Sequence, residues 1–216
     1  MTRKPASGPR RRKAPAAPGP PPKRAWKPGN LLAPVPVVLV SCGGSRGFPA
    51  NLITIAWVGT VCSEPPMLGI AVRPERFSYP ILRKTGEFVV NLPSRELARH
   101  VDWCGVKSGR DVDKFRETGL TPLPATRVSC PLVAECPVNL ECRVTKTLAL
   151  GSHTLFLAEI LAVQVSAALL DAKGRLALEN AGLMAYVHGE YAALGPTIGR
   201  FGFSVRKGTA ARRKRG

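Results

Sequence analysis

A mainly β fold, closed into a barrel with a few short helices, is predicted by three observations on this 216-residue sequence. Apolar, β-branched runs recur along the chain, turn residues separate them, and no regular strand-helix-strand alternation is present. Val35 to Val40 is the first apolar run, Gly43 to Pro49 is a turn region, and Asn51 to Thr60 resumes as a strand, which together read as a hairpin with a long loop. Met67 to Val72 is the next strand, bounded by Pro65-Pro66 and Pro74. Ser78 to Thr85 reads as a short helix with Ser78 as N-cap, Pro80 early enough to be tolerated, and Gly86 as the stop. Glu87 to Leu92 is a strand, and Ser94 caps a helix from Arg95 to about Cys104 that puts Leu97 and Val101 on one face. Residues 105–127 are polar and irregular, with a short helix over Asp111 to Thr118. Val138 to Leu150 and Thr154 to Val165 form a hairpin turning at Gly151-Ser152, and a further turn follows at Asp171-Ala-Lys-Gly174.

The formal net charge of +18 belongs mostly to the ends. Residues 1–30 carry nine Lys and Arg and no acid, and residues 200–216 carry seven more and no acid. The sixteen Lys and Arg left in 31–199 face fourteen acids, a net of +2. The expected organisation is therefore a disordered, basic, Pro/Ala-rich tail over 1–30, one domain over 31–199, and a basic C-terminal tail over 200–216. Such tails can touch nucleic acid or acidic surfaces without sequence specificity, or serve only as solubilising ends. Nucleic-acid binding through the basic ends is poorly supported, because the N-terminal tail has Trp26 as its one aromatic residue within 1–30 and aromatic content is only 6 %. No apolar run reaches the ~18 residues of a membrane span. The Arg pair near the N-terminus is followed by Pro-rich sequence and no apolar stretch until Val35, so a cytoplasmic protein is expected.

Six cysteines without a secretory leader argue against a disulfide scaffold. Cys130, Cys136 and Cys142 repeat every six residues, a spacing that matches no zinc or iron–sulfur pattern, so packing is the expected role and no metal is expected. Gly43-Gly-Ser-Arg-Gly47 fits neither of the glycine-rich phosphate loops. Any nucleotide must be held by another device.

Several pieces, in order, carry a resemblance: Pro36-Val-Val-Leu-Val40, Pro49-Ala-Asn51 with Thr54 and Trp57, Pro65-Pro66, Arg76-Phe-Ser-Tyr79, Glu87-Phe-Val-Val-Asn91, Cys104-Gly-Val-Lys-Ser-Gly109, Asp111-Val-Asp-Lys-Phe115, Gly119-Leu-Thr-Pro122, Leu140-Glu-Cys142 and Gly151-Ser-His153. Over roughly Pro34 to Leu194 the chain resembles the flavin reductase-like, flavoredoxin-type family, whose fold is the FMN-binding split barrel. The resemblance implies FMN as cofactor, with NAD(P)H as a transient co-substrate that passes hydride to the flavin, and a homodimer. It implies that Asn51, Thr54, Ala56 and Trp57 lie along the ring, that Arg76 and Ser78 meet the ribityl chain and phosphate, and that Asn91 completes the pocket. Ser108 and Lys114 join the cofactor-binding set, and His153 is the catalytic candidate facing the reacting partner. The family often carries Gly-Asp-His at that turn; here Ser152 replaces the Asp and removes an orienting carboxylate. Ordinary alternatives stand beside these roles. Thr54 and Ser78 also fit a strand hydroxyl and a helix cap, Trp57 a core residue, Arg76 a surface residue, Lys114 an ion pair with Asp111 or Asp113, and His153 a solvent-facing turn. Two functions stay open: a flavin-dependent oxidoreductase, and a non-catalytic flavin-binding electron carrier or sensor.

Overall fold

The computed structural model describes residues 19–205. The expectations of a disordered tail over 1–30 and a basic tail over 200–216 therefore fall, for residues 1–18 and 206–216, outside the described residues. Residues 19–31 are exposed and carry no regular structure, and they belong to a unit separate from the one that begins at Leu32. The strands are β1 (Val35–Pro36), β2 (Val38–Cys42), β3 (Asn51–Ile55), β4 (Val58–Cys62), β5 (Met67–Val72), β6 (Glu87–Leu92), β7 (Pro122–Leu123), β8 (Leu132–Val133), β9 (Val138–Ala149), β10 (Thr154–Val165), β11 (Met184–Val187) and β12 (Glu190–Ala193). The helices are α1 (Ser78–Thr85), α2 (Ala98–Val106) and α3 (Lys114–Thr118). No helix among the described residues is long and apolar enough to cross a membrane.

Seven strands form one antiparallel sheet in the order β3-β2-β6-β9-β10-β5-β4. Its two outermost strands, β3 and β4, are consecutive in the chain and separated only by Ala56 and Trp57. The sheet must therefore curl until its ends meet, yet no ladder joins them, which makes the barrel split. The mainly β barrel is as expected; the single strand expected over Asn51 to Thr60 is two strands. The reason lies in the partner. β3 pairs with β2 from Cys42↔Asn51 to Val38↔Ile55, and beyond Val38 the chain reaches Pro36, which has no N–H to donate. With its ladder exhausted the chain bends, and the Trp57 carbonyl accepts from Ala71 of β5 at 2.9 Å.

Alternation along the strands sorts residues between two cores. Val38, Val40 and Cys42 of β2, Ile53 and Ile55 of β3, and Phe88 and Val90 of β6 fill the barrel with Ile70 and Phe156. Val37, Leu39 and Leu52 face the other way and pack under Val101 and Cys104 of α2 and Phe115 of α3. The helix expected from Arg95 starts as a 3-10 turn over Arg95–Leu97 before α2, and Ser94 makes no side-chain cap bond. α3 starts at Lys114, later than expected, because Asp113 Oδ1 accepts from the N–H groups of Phe115 and Arg116 at 3.1 and 3.2 Å and fixes the N-terminus there. Gly86 and Gly119, with φ of 67° and 71°, end α1 and α3 in the left-handed conformation. Cys42, Cys104, Cys130, Cys136 and Cys142 are buried; among the described residues no disulfide and no metal-holding cluster occurs.

Two carboxylates hold the loop before β8 against the sheet. Glu141, fully buried, accepts from the Thr126 N–H and hydroxyl, the Arg127 N–H and Gln164 Nε2. Glu87 accepts from the Ser129 N–H at 3.0 Å and from Arg143 at 3.3 Å. Burial alone would raise both pKa values; the bonds from Ser129 and Arg143 to Glu87, and from Gln164, Arg127 and Thr126 to Glu141, outweigh it and hold both below 4.5. Carboxyls depressed in the folded state contribute stability that is present above the unfolded value and is lost as pH falls through the folded one. Thermal melts should accordingly be flat from neutral pH to about 4.5 and fall progressively below it, with Glu141→Gln less stable at neutral pH and less sensitive to acid.

Candidate functional site

At one end of the barrel, the start of β3, the turn into α1 and the segment from α2 to α3 enclose a cavity of about 120 Å³. Asn51, Arg76, Ser78, Ser108 and Lys114, five of the residues singled out from the sequence, line it together. It adjoins a wider cleft of about 480 Å³, with Asn51, Phe77, Gly109 and Arg110 common to both.

Asn51 shares the barrel-facing side of β3 with Ile53 and Ile55 but sits at the strand end, so its amide reaches Ser78 Oγ, donating at 2.8 Å. Ser78 is therefore not the N-cap expected of it. Phe77 holds that position in helical conformation without any side-chain cap bond, and no acidic residue occupies the first turn. The N-terminus of α1 thus borders the cavity without a side-chain cap; the Tyr79 N–H is taken by the Arg76 carbonyl at 2.9 Å and Pro80 has none, which leaves the Ser78 N–H, among the first three positions, at the positive end of the helix dipole. Lys114 is 3 % exposed; its Nζ donates to the Cys104 carbonyl at 2.6 Å, and it forms no ion pair among the described residues. The ion pair with Asp111 or Asp113 is thereby replaced by a bond to a helix-end carbonyl. Burial holds the Lys114 pKa below the usual lysine range. Arg76 lies at the mouth and reaches the Gly105 carbonyl at 3.5 Å. The neighbouring thiols are not nucleophiles: burial pushes Cys42 up to about 12 and Cys104 up to about 11. A buried ammonium without a counter-charge, a guanidinium with spare donors and an uncapped helix start suit an anion with further hydroxyl groups.

Other sequence candidates fall elsewhere. Thr54 Oγ1 donates to the Val101 carbonyl at 2.5 Å and ties α2 to β3. Ala56 and Trp57 form the bend where the barrel splits, outside the cavity wall, with Trp57 39 % exposed. Asn91 does not complete the pocket. Its Nδ2 lies within bonding distance of the Leu39 carbonyl and Ser41 Oγ, at 3.0 and 3.1 Å, while its Oδ1 accepts from the Val133 N–H and Asn139 Nδ2 at 3.0 and 2.8 Å. It sits on the face of β6 turned away from the barrel. His153 is not part of the cavity wall, but the ladder sets Thr154 opposite Val72 and so brings His153 beside Arg73. Burial, then the Arg73 charge, lowers its pKa, with Arg76 adding and Glu75 opposing. Ser152 Oγ lies 2.9 Å from its Nδ1, taking the place of the missing carboxylate.

Among the wall residues that sequence reasoning passed over, Gly109 and Arg110 matter most to its shape. An added Cβ on Gly109 would stand 2.2 Å from Asn51 Oδ1, and Arg110 Nη2 donates to the Glu75 carbonyl at 3.0 Å. The pair of glycines in Cys104-Gly-Val-Lys-Ser-Gly109 was the one available signal, since both let the chain lie close against side chains of neighbouring elements, Thr54 at Gly105 and Asn51 and Phe77 at Gly109.

The flavin reductase like domain, as a family description, matches residues 31–195. A flavoredoxin of Desulfovibrio vulgaris (Miyazaki F) superimposes with a TM-score of 0.79 at 30 % identity, covering 85 % of this chain and 100 % of its own. An uncharacterized protein of Archaeoglobus fulgidus is 36 % identical over 144 residues, 67 % of this chain and 80 % of that one. The FMN-binding protein of Thermus thermophilus, solved with 1-cyclohex-2-enone, shares the fold with a TM-score of 0.66 at 24 % identity, over 79 % of this chain and 94 % of its own. With a matching family description, a split barrel and a flavoredoxin covered end to end, the chain belongs to the flavin reductase-like family, whose members serve flavin-related redox chemistry.

Proposed function

We propose that the protein binds FMN in this pocket and passes electrons from NADH or NADPH through it to an acceptor. The observation that carries the reading is the meeting of buried Lys114, Arg76 and the uncapped start of α1 in one cavity. At about 120 Å³ that cavity admits the phosphate end of a mononucleotide and not its ring, which extends into the adjoining cleft or along the neighbouring surface of β3. Arg76 offers a planar fork of donors to the phosphate, Ser78 and Ser108 offer hydroxyls, and Lys114 balances charge from below. Asn51 orients Ser78 through the bond from its amide. Bound FMN supplies hydride acceptance and onward electron transfer; the chain binds and orients. His153, whose pKa burial and then the Arg73 charge lower, offers a hydrogen bond to the reacting partner from beside Arg73.

The open edges of β3 and β4 also lead us to propose a homodimer, since unpaired strand edges favour covering. The test of the main reading is spectroscopic. Purified protein supplied with FMN should show a flavin absorption band that bleaches when NADH or NADPH is added without oxygen. A band that neither nucleotide bleaches would favour the electron-carrier function, and failure to retain FMN at micromolar concentration would sink both.

A further inference from the structure

Two walls of the cavity are joined by a reciprocal pair of arginine bonds. From the β5–α1 turn, Arg76 Nη1 reaches across to the Gly105 carbonyl at 3.5 Å. From the α2–α3 segment, Arg110 Nη2 reaches back to the Glu75 carbonyl at 3.0 Å. Between these bonds the second wall lies flush on the first: a Cβ on Gly109 would come within 2.2 Å of Asn51 Oδ1 and 2.6 Å of the Phe77 ring. The second wall is also braced from within, because Ser108 Oγ accepts from the Arg110 N–H at 3.2 Å and the Ser108 carbonyl accepts from Asp111 N–H at 3.1 Å.

The two bonds differ in what a ligand does to them. Arg76 has a long, weak contact and spare donors, so a phosphate draws it away from Gly105. Arg110 has the shorter bond, to a carbonyl on the far wall, and keeps the segment in place once Arg76 has turned to the ligand. We infer that Arg110 is a positioning residue: it clasps the 105–110 segment over the pocket and sets how fast a bound flavin leaves, without itself holding the phosphate. The inference rests on the flavin reading for its ligand, but the clasp can be read without one.

Arg110→Ala should accelerate dissociation of FMN and of riboflavin alike, by about three- to tenfold, followed by stopped-flow recovery of flavin fluorescence. Equal effects on the two flavins are the signature of a wall, since riboflavin carries the same ring and no phosphate. An effect confined to FMN would make Arg110 a phosphate ligand and overturn the proposal, as would unchanged dissociation of both. Gly109→Ala, in which the new Cβ pushes the segment off Asn51, should act in the same direction as Arg110→Ala on both flavins; slower release from it would count against the clasp. Amide hydrogen exchange across 105–110 in the flavin-free protein supplies the independent readout. Faster exchange in Arg110→Ala than in the wild type supports the clasp even if no flavin binds, and unchanged exchange overturns it even if the flavin reading holds.

Discussion

Replacing Arg76 by Ala is expected to weaken FMN by tenfold or more while leaving riboflavin nearly untouched. The Arg76 guanidinium has no carboxylate partner among the described residues, and its one protein contact is the 3.5 Å approach to the Gly105 carbonyl, so its donors are available to a ligand. A hydrogen bond to a charged group is worth about 1.5–3 kcal/mol, which corresponds to roughly ten- to a hundredfold in affinity. Riboflavin lacks the phosphate and serves as the internal control. Fluorescence-quenching titrations of both flavins against both proteins measure the difference directly, and the FMN loss should shrink at high salt as the charge is screened. Ser78→Ala should show a smaller loss with the same bias, because Ser78 also receives the Asn51 amide and its removal loosens that contact too. Equal weakening of FMN and riboflavin by Arg76→Ala would move Arg76 to the ring or to the fold. No change would return it to the solvated surface.

The elements that could be read from the sequence are those whose ends are written locally. β5 and β6 begin and end where Pro, Gly and the apolar run say, and α1 runs from Ser78 to the Gly86 stop as its residues indicate. What could not be read depends on partners far away in the chain. The break at Ala56-Trp57 follows from β2 running out of ladder at Pro36, and Ser78 gives up its capping role because Asn51 of β3 arrives at its hydroxyl. The site divides along the same line. Asn51, Arg76, Ser78, Ser108 and Lys114 were legible as chemistry of the right type, and the fold gathers them. Arg110 and Gly109 were not, since their meaning is a close approach between two loops.

Asn91 shows where parity should have overruled residue type. In Glu87-Phe-Val-Val-Asn91 the barrel takes Phe88 and Val90, so Asn91 must share the other face with Glu87 and Val89. Asn51, by contrast, alternates in phase with Ile53 and Ile55 and does face the barrel. A strand-end amide of the wrong parity cannot reach the pocket, however suitable its chemistry.

Asn91→Ala should therefore be a stability variant and not a binding variant. The side chain is fully buried between β2 and β9, and the Val133 N–H that donates to Oδ1 fixes which end of the amide is oxygen. Truncation removes the acceptor of both Val133 and Asn139 and the donor to Leu39 and Ser41, leaving buried polar groups unpaired beside a small void. Each such orphan costs about 1–3 kcal/mol, although Asn139 keeps its 3.1 Å bond to the Val133 carbonyl and Ser41 its bond to Pro131. A net loss of about 3–4 kcal/mol is expected, which in a chain of this size lowers the melting temperature by about 10 °C. Calorimetry measures that shift, and the same flavin titrations should show FMN and riboflavin bound in their wild-type ratio at temperatures where the variant is folded. A variant that melted as the wild type does but lost FMN selectively would put Asn91 back in the site and overturn the parity argument.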